Sequence, residues 1–167
     1  MDPAAARVSF SVNVCNSDLP FVGPTLRHML PALGHPFCER RVAYDPGRQE
    51  GKYATRMQGD RAGIEKVLDK LLAEKVIDYV DVIPWTADDQ RRILAHYFGS
   101  DNVQLKDFSG APIYQYLYAL DCCSGDFVFH ADSDMLFHRR PGAGSWIAEG
   151  VALMRHEPRV IITCPRA

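Results

Sequence analysis

Two aspartates one residue apart, Asp132 and Asp134, follow directly on the apolar run Phe127-Val128-Phe129-His130-Ala131. On an extended segment side chains repeat every second residue, so both carboxylates are expected on one side. Paired hard oxygen ligands suit Mg²⁺ or Mn²⁺, which complete their shells with water and substrate phosphates. An ion held there would neutralise a diphosphate and stabilise it as a leaving group. Taken alone, Asp-Ser-Asp also reads as a polar turn closing a strand; the buried strand expected just before it favours the metal reading. Acidic and amide residues close the earlier strands too: Asn16 and Asp18 after the first, Asp45 after the second. In an open α/β sheet ligands gather beyond the carboxyl ends of the strands, so these side chains are expected to share a site.

The elements that must position them follow one another along the chain. Val8, Phe10, Val12 and Val14 alternate with smaller polar residues, which predicts a strand over 7–15. Leu26, Met29, Leu30 and Leu33 recur at helical spacing within 21–33, and Gly34 is a stop signal. A second strand is expected over 38–44, closed by Asp45-Pro46-Gly47, and then a polar loop over 48–59. Asp60 is placed to cap a helix whose stripe is Ile64, Val67, Leu68, Leu71 and Leu72. A third strand is expected over 76–85. Thr86, with Asp89 three residues on, opens the next helix, and Gly99 ends it. After a connector over 100–110 come a helix over 113–123 and, past Gly125-Asp126, a fourth strand over 127–131. Ser145 caps a further helix carrying Ile147, Val151 and Met154, and Val160-Ile161-Ile162 is expected to begin a fifth strand. This alternation implies a Rossmann-like α/β domain: a mostly parallel sheet with helices on both faces.

The run Ser124-Gly125-Asp126-Phe127-Val128-Phe129-His130-Ala131-Asp132-Ser133-Asp134, set in that element order, resembles the nucleotide-sugar half of a GT-A glycosyltransferase, closest to family 2. The seven-residue step from Gly125 to Asp132 matches the family's spacing. The resemblance implies a metal-dependent transferase that binds a nucleoside-diphosphate sugar and passes the sugar to an acceptor. It implies Asp134 as a direct metal ligand, and Asp132 as a contact to the ribose or to the metal through water. It also implies Asp45 as a partner of the base, with Asn16 and Asp18 beside the nucleotide. Three positions depart from the family pattern: Asn13-Val14-Cys15 stands for its Pro-x-Tyr, Tyr116-Leu117 for its Arg-Asn, and Met135 for a third acidic residue. The family's general base and acceptor pocket come from a second half, so 1–167 is expected to be a single nucleotide-sugar-binding domain with the acceptor half missing.

Other residues invite weighing. Lys52, Arg56 and Arg61 sit in or beside the loop after the second strand, where a cation could reach a phosphate, although cations on a polar loop are usually just solvated. Arg139 or Arg140 offers a fork for a diphosphate, in a turn that otherwise reads as surface. His130, inside an apolar strand, reads as a satisfied core histidine. Trp85 is better placed than Trp146 to stack on a sugar, with core packing the plainer reading for both. Tyr114, Tyr116 and Tyr118 alternate around one helix, so at least one is expected to face outward or toward the site.

Composition narrows the classes. The chain has 167 residues, 47% hydrophobic, with 19 Lys+Arg against 21 Asp+Glu and a formal charge of -2. That is an ordinary globular balance, with no basic field for nucleic acid. No apolar stretch approaches the roughly 20 residues of a membrane helix, and residues 1–7 lack the features of a secretory signal. Five cysteines, none in a Cys-x-x-Cys pair, suit a reducing, cytoplasmic setting. Two alternatives to a transferase remain at this level. One is a haloacid-dehalogenase-like phosphohydrolase, whose first motif is also a strand running into Asp-x-Asp. The other is a non-catalytic module that binds nucleotide sugars.

Overall fold

The structure is a computed structural model and describes residues 6–47, 59–108, 110–140, 142 and 144–165. Strand β1 (Val8–Cys15) leads through a 3-10 turn (Asn16–Asp18) into α1 (Val22–Leu33) and then β2 (Glu39–Asp45). Next come α2 (Arg61–Ala73), β3 (Tyr79–Val82), α3 (Ala87–Phe98), α4 (Ile113–Asp121), β4 (Phe127–Asp132) and α5 (Trp146–His156). The four strands form one sheet in the order β3-β2-β1-β4, and every pairing is parallel. The Rossmann-like α/β expectation holds. No helix among the described residues is long and apolar enough to cross a membrane.

The alternation in β1 decides the layering. Val8, Phe10, Val12 and Val14 are buried against α1, α2 and α5, in a core that includes Leu26, Met29, Ile64, Leu68 and Ile147. Ser9, Ser11, Asn13 and Cys15 point to the other face. There a smaller core of Ala43, Ile83, Ile93, Tyr114 and Ala119 joins β2 to α3 and α4. Caps follow the sequence signals. Gly34 and Gly99 take left-handed conformations after α1 and α3, and Thr86 accepts from the Asp89 N–H. Ser145 accepts from the Ala148 N–H, whereas Asp60 stands at its cap position without a side-chain bond.

A buried polar knot sets β4 in register. Glu39 Oε1 accepts from the Ser9 hydroxyl at 2.6 Å and from the Ser124 N–H at 2.5 Å. Ser9 in turn accepts from the Gly125 N–H at 2.9 Å, and Arg41 bridges Glu39 to Asp81. Gly125 is required by contact, because a Cβ there would lie 2.7 Å from the Ser9 backbone nitrogen.

Two strand expectations need correction. The third strand is only Tyr79–Val82. Lys75 turns into the left-handed region, and the Val76 and Ile77 N–H groups go to the Leu71 carbonyl to close α2. Pro84, lacking an N–H, cannot extend the ladder at the other end. Among the described residues the expected fifth strand does not form: Val160, Ile161 and Ile162 join no strand, and Ile161 and Ile162 are 82% and 78% exposed. Glu157 instead accepts locally from Arg159 and Val160, and Thr163 folds against Gly150 of α5. β4 therefore stands at the sheet edge.

Candidate functional site

Strands β2 and β3 lie on one side of β1 and β4 on the other, so the winding reverses between β1 and β4. The carboxyl ends at such a reversal leave a crevice in α/β sheets. A cavity of ≈ 860 Å³ opens here, walled by the ends of β1, β2 and β4, the start of α4, and part of the connector between α3 and α4. Asp18, Asp45, Asp132 and Asp134 all line it.

Asp132 ends β4, but Ser133 and Asp134 lie in a turn in which the Met135 N–H bonds to the Asp132 carbonyl. The expectation of an extended Asp-x-Asp is thus corrected: the turn, rather than strand alternation, presents the pair. Ser133 is buried between two exposed carboxylates. Asp132 Oδ1 accepts from the Tyr116 hydroxyl at 3.1 Å and lies 3.9 Å from His130 Nε2.

Asp18 is 8% exposed. Its Oδ2 accepts from the Cys15 N–H at 2.8 Å, and its carboxylate bonds the Ser133 side chain. The turn after β1 is thereby tied to the turn after β4. Burial, and secondarily the charge of Asp134, lifts its carboxyl above the ordinary value despite those bonds. Asp45 Oδ1 accepts from the Gly47 N–H at 2.8 Å and from the Trp85 indole at 3.0 Å, and Trp85 packs on Tyr114. Asp45 and Trp85 form the wall facing the aspartate turn.

Asn16 has a different place. Its Oδ1 accepts from the Tyr44 hydroxyl at 2.7 Å and its Nδ2 donates to the Pro46 carbonyl at 3.0 Å. It does not line the cavity but pins the end of β2 that carries Asp45. Of the basic candidates, Arg61 pairs with Glu65 on α2, and Arg139 lies against Gly34 at the carboxyl end of α1. Neither lines the cavity, nor does Arg140; Lys52 and Arg56 lie outside the described residues. Trp146 belongs to the core with Phe129 and Phe137. His130 is not the satisfied core histidine expected: its Nε2 is buried without a hydrogen-bond partner among the described residues, and burial lowers its pKa.

Of three further contributors, sequence reasoning placed the first only as one of three tyrosines and missed the other two. Tyr116 orients Asp132, and the alternating tyrosines were the signal: Tyr114 is buried with its hydroxyl on the Pro84 carbonyl, leaving Tyr116 outward. Lys106 enters from the connector, held by its bridge to Pro112, a placement with no periodic signature. Asn13, also in the lining, registered only as a departure from the family pattern.

Among the described residues no group of three or more His, Cys, Asp or Glu stands ready to hold a metal. The donor set is instead two exposed carboxylates on one turn. That fits a hard cation taking its remaining oxygens from water and a phosphate ligand, and does not fit a closed protein cage. The chain matches no family model, no curated protein and no solved structure among those compared with it.

Proposed function

We propose that this chain binds a nucleoside-diphosphate sugar together with Mn²⁺ or Mg²⁺ and serves as the donor-binding part of a GT-A-type glycosyltransferase. The observation that carries the reading is the convergence of the β1, β2 and β4 ends on one cavity at the winding reversal, with Asp132 and Asp134 exposed together. When bound, the ion offsets the diphosphate charge and makes it a better leaving group. The chain's own residues do the positioning. Tyr116 holds Asp132, Asp18 anchors the aspartate turn through Ser133, and Asn16 holds the Asp45 wall. That wall stands two strand spacings from Asp132, roughly 10 Å, a span suited to a base on one side and a diphosphate on the other. A reducing, cytoplasmic setting, as the cysteine spacing suggests, belongs to the same proposal.

Calorimetry with UDP- and GDP-sugars tests the proposal. Binding should strengthen at least roughly tenfold with Mn²⁺, and Asp134→Asn should remove that gain, since a metal bridge to phosphate supplies most of the charge pairing. Affinity indifferent to both the cation and the substitution would rule the reading out. Transfer or hydrolysis of the bound donor separates an enzyme from a module that only binds.

A further inference from the structure

The central strand carries a polar side chain that the fold leaves unmatched. Asn13 is 8% exposed, yet neither Nδ2 nor Oδ1 of its amide has a hydrogen-bond partner among the described residues. Such a group is normally paired, because an unmatched buried amide opposes folding. Asn13 also lines the cavity, beside the winding reversal. Its register partner across the β1–β4 ladder is Asp132, and across the β1–β2 ladder Asp45 pairs with Cys15, two residues further along β1. Paired residues of neighbouring strands share a face, so Asp132, Asn13 and Asp45 line the same side of the sheet. Asn13 thus sits between the two acidic walls with both amide atoms closed to solvent, so a ligand spanning the walls would meet them through a turn of the side chain.

We infer that Asn13 is a specificity-determining residue that reads a vicinal diol at the centre of the bound ligand; the inference rests on the nucleoside-diphosphate reading above. A primary amide presents donors and an acceptor side by side, and two neighbouring hydroxyls meet both. In a nucleoside diphosphate whose base meets the Asp45 wall and whose diphosphate meets Asp132 and Asp134, the group lying over β1 is the ribose. The proline of the family pattern at this position has no such group, so the reading belongs to this chain's own residue.

The test compares wild type, Asn13→Leu and Asn13→Ala, with Mn²⁺ present. The ligands are UDP, GDP, ADP and CDP, their 2′,3′-dideoxy counterparts, and UDP-glucose, all measured by calorimetry alongside thermal melts. The best-bound diphosphate should lose roughly 10- to 100-fold in affinity in either variant, and its dideoxy form should bind all three proteins equally weakly. Asn13→Leu without ligand should melt no lower than wild type, because it removes an unmatched amide; Asn13→Ala covers the case in which the larger side chain does not fit. A penalty appearing only with UDP-glucose would assign the diol to the transferred sugar. Equal affinities for wild type and variants would overturn the inference while leaving the proposed function intact. No diphosphate binding to wild type would overturn both.

Discussion

Burial alone would lift the Glu39 carboxyl, but the Ser124 N–H, the Ser9 hydroxyl and the Arg41 guanidinium outweigh it and hold the group at about 2. A folded-state pKa below the unfolded one means that the contribution to stability is complete above the ordinary carboxylate range and is lost as pH falls through the folded value. The depression corresponds to roughly 3 kcal/mol at neutral pH. Glu39→Gln should therefore melt lower than wild type at pH 7. The two curves should converge as pH falls from the unfolded value of 4.5 toward about 2. Melting curves taken across that window check it, and a constant gap down to pH 2 would show that the charge is not what holds the knot. Asp18 shows the opposite balance, where burial and the charge of Asp134 outweigh the bonds from Cys15 and Ser133.

At the scale of elements, the decisive contact is between the start of β4 and β1. Phe127 follows a turn whose Ser124 and Gly125 N–H groups are taken by Glu39 and Ser9, and this fixes the register that ends with Asn13 opposite Asp132. A one-residue slip would turn Asp132 to the apolar face and Ala131 to the cavity. Gly125→Ala forces a Cβ to 2.7 Å from backbone at Ser9 and should cost about 1–3 kcal/mol in denaturant unfolding. Because strain falls on the register, any cation-dependent ligand binding should weaken along with stability. Full stability in this variant would mean that β4 is set elsewhere. The seven-residue step from Gly125 to Asp132 thus has a mechanical meaning here: close approach at one end of the strand, carboxylate at the other.

Across the fold, β1 is paired on both edges and covered on both faces, while among the described residues β3 and β4 each pair on one edge only. Hydrogen exchange should therefore find the amides of 9–14 the slowest in the chain. The 161–164 segment, with Ile161 and Ile162 exposed and outside any strand, should exchange close to the free rate. Slow exchange at Ile161 and Ile162 would mean that they form a strand after all. Local chemistry explains which features were legible beforehand. The period-2 run in β1, the helical stripes of α1 and α2, the capping residues Thr86 and Ser145 and the acidic strand ends all depend on near neighbours. By itself the sequence determined the alternating α/β order and which carboxylates close the strands, because side-chain periodicity and capping are set within a few residues. Only the tertiary structure decided that Asn16 braces the Asp45 wall, that Arg139 turns away to α1, that Tyr116 holds Asp132 and that Asn13 is left unmatched. Those outcomes depend on which strands become neighbours and which groups satisfy one another across the sheet, and no local pattern records that.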